Sequence, residues 1–442
     1  MVDEPIGTAA APDQPLTARA ATAGPFARFL AATEIDTRLI GMIGALAVVW
    51  IGFDVLSGGV FLTPRNLWNL SVQTASVAVM ATGMVFVIVT RHIDLSVGSV
   101  LGFIGMIIGV TQAELLPELL GFGHPAIWAI ALALGIVIGV LIGGLQGFVI
   151  AYLGVPAFIT TLGGLLVWRG AAWWVTSGRT VAPMDQSFRL LGGGADGAIG
   201  ATASWIIGLI ACVGIFAMLA MSRRQRQRFK FPLRPLWAEA FLGGVASVLV
   251  LGAVAIANAY PWPVGIARRY AEANGIEIPE GGLFIPHGIA IPVLVAVGVG
   301  VVMTFIGTRT RFGRYVFAIG GNPEAAELSG INTRWVTMKI FMLMGALCAI
   351  SASISTARLN AATNAQGALD ELYVIAAAVI GGTSLGGGIG TVAGAMLGAL
   401  VMQSLQSGMV LLGMDTPLQN IVVGIVLVLA VWIDTVYRRR TA

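Results

Sequence analysis

Few residues of this 442-residue chain could do chemistry inside its long apolar stretches, since only 10% are charged and 57% are hydrophobic. Asp94 is a carboxylate with long apolar runs on both sides. A charge at the centre of a membrane span costs about 2.5–3.5 kcal/mol, so it needs a role. Two interpretations are open. Asp94 and Ser96 either contribute to a polar path or accept backbone N–H bonds at the start of a helix.

Other reactive residues lack the partners that catalysis or metal binding needs. The three histidines, His92, His124 and His287, are far apart and show no metal-ligand spacing. Each of the two cysteines, Cys212 and Cys348, lies in an apolar run, so no disulfide framework or zinc cluster is available. We therefore predict no catalytic, cofactor or metal site, and a chain that is not an enzyme.

The glycine-rich run GGTSLGGG at 381–388 looks like a phosphate-binding loop at first sight. A P-loop needs a lysine followed by Ser or Thr, because the ammonium must reach the phosphates and the hydroxyl must reach magnesium. The only lysines are Lys230, followed by Phe231, and Lys339, followed by Ile340. The run is therefore predicted to be a tight turn with unusual φ angles.

The apolar stretches predict the elements that hold these residues. A helix needs about 20 apolar residues to cross ~30 Å of hydrocarbon. We predict an all-α, polytopic membrane protein with a disordered cytoplasmic tail at 1–34 and a transmembrane domain at 35–442. The span at 371–384 is short for a full crossing. The predicted spans, about twelve in number, lie at 37–56, 70–90, 93–112, 126–147, 157–176, 204–221, 240–258, 288–307, 336–357, 371–384, 390–412 and 417–436.

The basic residues orient these spans. With the N-terminus inside, the inner segments hold about three times as many Arg and Lys residues as the outer segments, which fits the positive-inside rule. An even number of spans then places both termini in the cytoplasm. The net charge of +4 therefore indicates topology rather than affinity for nucleic acid.

Several polar residues lie at the predicted outer ends of spans. Arg169 either faces a wet cavity or extends to the headgroups. A polar cluster is either a solvated loop or a contact for a substrate or partner; its members are Asn360, Asn364, Gln366, Asp370 and Glu371.

Two rows of glycine predict close helix packing. Small residues at every fourth position let helix backbones approach each other in lipid. The rows are Gly135, Gly139, Gly143 and Gly147, and Gly390, Gly394 and Gly398.

The predicted inner loop at 309–334 contains a short helix with strong end signals. These are an N-cap, a first-turn proline, acids at the positive end of the helix and a glycine stop. A helix of about two turns is marginal alone in water, so we predict that it docks on another protein; the alternative is a simple connector. The residues of this docking helix are Asn322, Pro323, Glu324, Ala325, Ala326, Glu327, Leu328 and Gly330.

From about residue 61 onward the chain resembles the permease subunit of bacterial ABC importers for monosaccharides, the ribose and xylose group. The docking helix and Gly330 are also similar to the EAA loop of ABC importers generally. The resemblance is carried by four motifs in order, IDLSVGS (93–99), PAFITTLG (156–163), GNPEAAELSGI (321–331) and GGTSLGGG (381–388).

This resemblance implies a ten-helix permease core in the bacterial inner membrane. It also implies a second permease copy as a homodimer, a separate cytoplasmic ATPase, a periplasmic sugar-binding protein and no cofactor of the permease's own. The docking helix would be the coupling helix to the ATPase. The pair of spans at about 204–258 would be a hairpin inserted into the core, similar to the xylose branch, which favours xylose or a similar pentose. Its basic loop would contact the ATPase or anionic lipid.

The mechanism implied is alternating access driven by the ATPase. The rival is an ion-coupled secondary sugar transporter, which would usually show several intramembrane carboxylates. Further plausible path residues are Ser71, Gln73, Thr74 and Ser355. The predicted translocation path includes Asp94, Ser96, Thr160, Thr161, Asn360 and Asp370.

Overall fold

The computed structural model describes residues 25–279 and 282–441, so most of the predicted disordered tail lies outside the described residues. The prediction is wrong for the last part of the tail, because Pro25–Thr33 forms a helix, α1. Its Phe29 packs against the rings of Trp237 and Phe241, with ring centroids 6.1 and 5.3 Å away. This aromatic packing supplies the apolar burial that a short helix needs.

The described residues form helices joined by turns and short irregular segments. Apart from a single α-helical turn at Gln186–Arg189 and a 3₁₀ turn at Leu190–Gly192, the helices after α1 are α2 (Thr37–Leu56), α3 (Pro64–Val89), α4 (Val97–Leu120, with a π-helical turn at Thr111–Leu115), α5 (Ile127–Ala151), α6 (Ala157–Thr176), α7 (Gly200–Arg228), α8 (Leu236–Ala259), α9 (Val264–Asn274), α10 (Ile291–Arg309), α11 (Arg311–Gly321), α12 (Pro323–Leu328), α13 (Thr333–Leu359), α14 (Asp370–Ile380), α15 (Val392–Leu411) and α16 (Thr416–Thr441).

Nine helices among the described residues are long and apolar enough to cross a membrane, which confirms an all-α polytopic membrane protein. Three predicted spans correspond to helices outside this set. α6 has 20 residues but carries Arg169, α14 has only 11 residues, and the apolar part of α16 is Thr416–Trp432. The count of about twelve therefore stays a prediction. The nine helices are α2, α3, α4, α5, α7, α8, α10, α13 and α15.

The chain divides into two compact units. The smaller comprises the residues up to Ile40 together with Ile207–Gly252, which is most of the predicted hairpin. The larger comprises Gly41–Ile206 and the residues from Ala253 onward. Within the larger unit, α3 is buried along most of its length and packs against α10, α13, α14 and α15.

The glycine rows form the close helix packing that the sequence predicts, except at Gly390, which lies before the start of α15. An added methyl group at Gly139 or Gly143 of α5 would overlap the backbone of α13, at Gly345 and Phe341 respectively. In the second row, a methyl group at Gly398 of α15 would overlap the carbonyl oxygen of Ala377 in α14. The helix axes therefore approach to a distance that only glycine permits.

The glycine run at 381–388 is a turn between α14 and α15, as predicted. Gly382, Gly387 and Gly388 have φ angles of 85°, 86° and 75°. Residues with a side chain rarely adopt these angles, so the run depends on glycine.

Candidate functional site

A cavity of about 490 Å³ lies within the larger unit. Its wall is formed by the start of α3 from Asn66, the end of α13 to Leu359, the start of α14 at Asp370 and the end of α15 to Leu411. Arg358 in this wall is exposed, so the cavity reaches the protein surface. Its volume is in the range that holds small molecules.

The wall of the cavity is rich in uncharged hydrogen-bonding groups. Amides both donate and accept, and hydroxyls do the same. Arg358 and Asp370 add one charge of each sign. The uncharged polar lining residues are Asn66, Asn69, Gln73, Ser76, Ser355, Gln366, Gln403, Gln406 and Ser407.

Hydrogen bonds orient several of these amides. Gln403 Nε2 donates to Gln406 Oε1 at 2.7 Å and to Gln73 Oε1 at 3.4 Å, which links α15 to α3. Ser407 Oγ donates to Asn66 Oδ1 at 3.4 Å. The two bonds at 3.4 Å are weak, so these groups can exchange them for bonds to the hydroxyl groups of a ligand.

Arg169 holds the segment before α14 that completes the wall. Its Nη1 donates to the carbonyl oxygens of Asn364 at 3.0 Å and Gln366 at 2.8 Å, and its Nη2 donates to that of Gly367 at 3.1 Å. Gln366 in turn exchanges hydrogen bonds with Thr356 of α13. The guanidinium therefore binds loop carbonyls. The sequence suggested that Arg169 either faces a wet cavity or extends to the headgroups, and neither interpretation predicted this contact.

The docking helix forms as predicted, as α12. The Asn322 side chain accepts a hydrogen bond from the Ala325 backbone N–H at 3.0 Å, and Gly330 has a φ of 81°. Ala326 is buried, whereas the side chain of Leu328 is 90% exposed. A well-defined short helix that ends in an exposed leucine can serve as an anchor for another protein.

Arg91 connects the docking helix to the helices around the cavity. Its Nε and Nη2 donate to the carbonyl oxygens of Gly320 at 3.1 Å and Gly321 at 2.8 Å, at the end of α11. The Gly388 N–H donates to the Val89 carbonyl at 2.9 Å. The end of α3, the start of the docking segment and the glycine turn are therefore fixed to one another.

α3 links the cavity to this contact. The cavity lies at its first residues, and Arg91 lies two residues after its last. Its 26 residues span about 39 Å at 1.5 Å per residue. The cavity thus lies at one end of the buried helix α3, and the docking segment is bonded near its other end. This gives a continuous structural connection between them.

The family described as the branched-chain amino acid transport system permease component matches residues 66–431, which is most of the chain. The chain belongs to this permease family.

Curated relatives of the permease carry sugar-transport names. It is 37% identical to the xylose transport system permease protein of Haemophilus influenzae, over 92% of this chain and 98% of the relative. It is 35% identical to the corresponding Escherichia coli protein, over 92% and 94%. The ribose import permease protein of Escherichia coli is 30% identical, over 90% and 92%. No solved structure matches the chain. The prediction of an ABC importer permease of the sugar type is confirmed.

The structure distributes the predicted path residues of the permease over several places. Asp370 lines the cavity, and Asn360 lines an adjoining space of about 370 Å³ where its side chain accepts from the Met184 N–H. Thr161 Oγ1 donates to the Ala157 and Ile93 carbonyls. Thr160 Oγ1 is buried with no hydrogen-bond partner among the described residues. Neither threonine lines the 490 Å³ cavity.

Sequence reasoning named Gln73 and Ser355 but missed most of the amides in the wall. The missed residues follow a helical pattern. Asn66 and Asn69 precede Gln73 by seven and four positions on α3, and Gln403 and Gln406 are three apart on α15. This spacing places them on one face of each helix. Polar residues with helical periodicity inside an apolar span are therefore the signal that could have identified this wall.

Asp94 lies in a buried network away from the cavity. The residue is 3% exposed, and its Oδ1 accepts from the Ser96 backbone N–H at 2.9 Å and from Ser96 Oγ at 2.6 Å. Ser96 Oγ also exchanges hydrogen bonds with Gln146. Asp94 therefore accepts one backbone N–H just before α4 begins, whereas the side chain of Ser96, the N-cap residue of α4, makes no capping hydrogen bond. The assignment of Asp94 and Ser96 to the translocation path stays a prediction.

Replacing Asp94 with alanine should lower sugar uptake at least tenfold while the permease still inserts. The change removes the acceptor for two hydrogen bonds at the start of α4, which costs roughly 1 kcal/mol or more, and the same turn carries Arg91. Uptake normalised to membrane-inserted protein measures the effect. Asp94→Asn keeps one acceptor oxygen and should retain more activity. Unchanged uptake in Asp94→Ala would show that the network is dispensable.

Proposed function

We propose that this permease carries xylose or a similar pentose into a bacterial cell by alternating access, driven by a separate ATPase. The observation that carries the proposal is the cavity lined by amides and hydroxyls at one end of α3, with an exposed docking helix at the other end. The permease would work as a homodimer in the inner membrane with both termini in the cytoplasm.

The chemistry of the cavity supports a neutral, hydroxyl-rich substrate. Each sugar hydroxyl donates one hydrogen bond and accepts others, and the amides of Gln73, Gln403 and Gln406 can satisfy both roles. The names of the relatives support a pentose, since two of those named above are described as xylose permeases and one as a ribose permease. A periplasmic sugar-binding protein would deliver the sugar to the place where the cavity reaches the protein surface.

The docking helix supports an external source of energy. Leu328 and the acidic residues Glu324 and Glu327 are exposed, so a cytoplasmic ATPase can reach them. Movement of α12 would reach α3 through the bonds from Arg91 to Gly320 and Gly321. A displacement at one end of α3 would then change the width of the cavity at the other end.

Replacing both Gln73 and Gln403 with leucine should lower ATP-dependent xylose uptake roughly tenfold or more. Two hydrogen-bonding amides leave the wall, each contributing about 0.5–1.5 kcal/mol. The measurement is labelled xylose uptake into proteoliposomes that contain the permease, its ATPase and its sugar-binding protein. Thr82→Val is the control, because Thr82 lies on α3 and bonds only to the Val79 carbonyl, away from the cavity wall.

Two outcomes would contradict the proposal. If the double variant transports like the original chain, the cavity is not the sugar path. If uptake persists without ATP but collapses when an uncoupler dissipates the ion gradient, the permease is a secondary transporter.

A further inference from the structure

In the smaller unit, the basic residues at the end of α7 and in the loop before α8 fall into two groups. Arg223 pairs with Glu239 at 3.0 Å. Arg226 and Arg234 both pair with Glu34, at 2.6 and 2.8 Å. One acid on α8 and one directly after α1 therefore pair with three arginines and hold the loop against the N-terminal segment.

The two ion pairs of Glu34 persist at physiological pH. Hydrogen bonds from Arg226, then from Arg234, lower the pKa of Glu34 from 4.5 to about 2, so its carboxylate remains ionised. Phe29 packs on Trp237 and Phe241 beside the same contacts. The paired side of the loop thus has a structural role.

The remaining basic residues of the loop face outward. Arg224, Arg228 and Lys230 are exposed, and none of the ion pairs among the described residues involves them. Phe229 and Phe231 lie between and beside them, with exposed fractions of 60% and 63%. Three cations interleaved with two exposed rings form the surface that we call the basic–aromatic loop, residues 224–231.

This loop lies directly beside lipid-facing surface. Met221 of α7 and Leu236 of α8 are both exposed apolar residues on helices long enough to cross a membrane. α7 continues for seven residues beyond Met221 to Arg228, which is about 10 Å at 1.5 Å per residue. Arg226 lies five residues beyond Met221, about 7.5 Å, and the Phe231 N–H donates to the Arg226 carbonyl oxygen at 2.9 Å, so the chain folds back there. The polar headgroup zone extends roughly 5–8 Å beyond the hydrocarbon on each side, so the loop passes through this zone and reaches its outer edge.

We propose that the basic–aromatic loop binds the headgroups of anionic phospholipids. Aromatic rings favour the boundary between hydrocarbon and headgroup, and basic residues beside a span attract anionic lipid. Phe229 and Phe231 insert at that boundary while Arg224, Arg228 and Lys230 contact lipid phosphates. This arrangement favours lipid over a soluble protein partner, because the rings lie within ten residues of the apolar part of α7.

The proposal predicts that the triple variant R224Q/R228Q/K230Q loses selective binding of phosphatidylglycerol. Native mass spectrometry of the purified full-length permease, titrated with phosphatidylglycerol or with phosphatidylcholine of the same acyl chains, measures both affinities. Each basic residue near a membrane surface contributes about fivefold, so three should lower phosphatidylglycerol affinity on the order of a hundredfold. Phosphatidylcholine binding should stay unchanged, and added salt should weaken binding in the original chain.

The matched control is R309Q/R311Q/R314Q, which removes three exposed arginines from the end of α10 and the start of α11. This segment is predicted to lie on the same side of the membrane as the basic–aromatic loop. This variant should keep its preference for phosphatidylglycerol. Three outcomes overturn the proposal. The first is that the loop variant binds phosphatidylglycerol as tightly as the original chain. The second is that both triple variants lose this binding equally. The third is that the loop variant keeps the lipid but loses the ATPase, which would make the loop a protein-docking surface.

Discussion

Replacing Gly143 with alanine should destabilise the permease by about 1–3 kcal/mol or more and strongly reduce the amount of folded protein. The added methyl group would overlap the carbonyl oxygen of Phe341 and lie within 3 Å of the Met342 Cα, both backbone atoms of α13. Backbone cannot move aside as the end of a side chain can, so α5 and α13 must separate. Thermal unfolding of the detergent-solubilised permease, followed by the loss of monodisperse protein, measures the effect.

The neighbouring residue provides the control. A methyl group at Gly144 would meet the Met342 Cγ at 3.5 Å, an ordinary contact with a flexible side chain. Gly144→Ala should therefore leave the unfolding temperature nearly unchanged, although both variants carry the same helix-favouring substitution. Equal stability of the two variants would mean that α5 and α13 do not pack as closely as described.

Replacing Leu328 with aspartate should weaken binding of the partner ATPase at least thirtyfold. Leu328 is the most exposed apolar residue of the docking helix, and a central interface anchor is worth about 2 kcal/mol or more. Because the side chain is exposed, the permease itself should insert and unfold as before. Titration of the purified ATPase onto the reconstituted permease gives the affinity, and sugar-stimulated ATP hydrolysis reports the coupling.

Leu328→Met tests the same position without adding charge. Methionine is similar in volume and apolar, so this variant should bind the ATPase within a few-fold of the original chain. Normal ATPase binding by Leu328→Asp would show that α12 is not the coupling helix, even if the transport cavity is assigned correctly.

Helix ends in the docking segment were predictable because their signals are local. Asn322 accepts its capping bond three residues along, and Gly330 adopts the left-handed conformation that ends the helix. The glycine rows were predictable for a similar reason, since a spacing of four places the glycines of α5, and Gly394 and Gly398 of α15, on one face of each helix. The absence of the Walker lysine needed only the sequence around Lys230 and Lys339.

The position of Arg169 was not predictable, because its partners are distant in the chain. The guanidinium binds carbonyl groups nearly 200 residues away, and nothing in the residues around Arg169 identifies them. Asp94 shows the same limit. The sequence left capping and path roles equally open, and only the structure shows that Asp94 bonds to Ser96 and does not line the cavity.

By itself the sequence determined the class of protein, the apolar helices, the docking helix and the family motifs, because each depends on residues close together in the chain. The tertiary structure alone decided which polar residues share a cavity. Gln73 meets Gln403, and Asn66 meets Ser407, only because α3 and α15 pack side by side, with more than 300 residues between the partners. Hydrogen-bonding geometry across such contacts is set by helix packing, which local patterns do not encode.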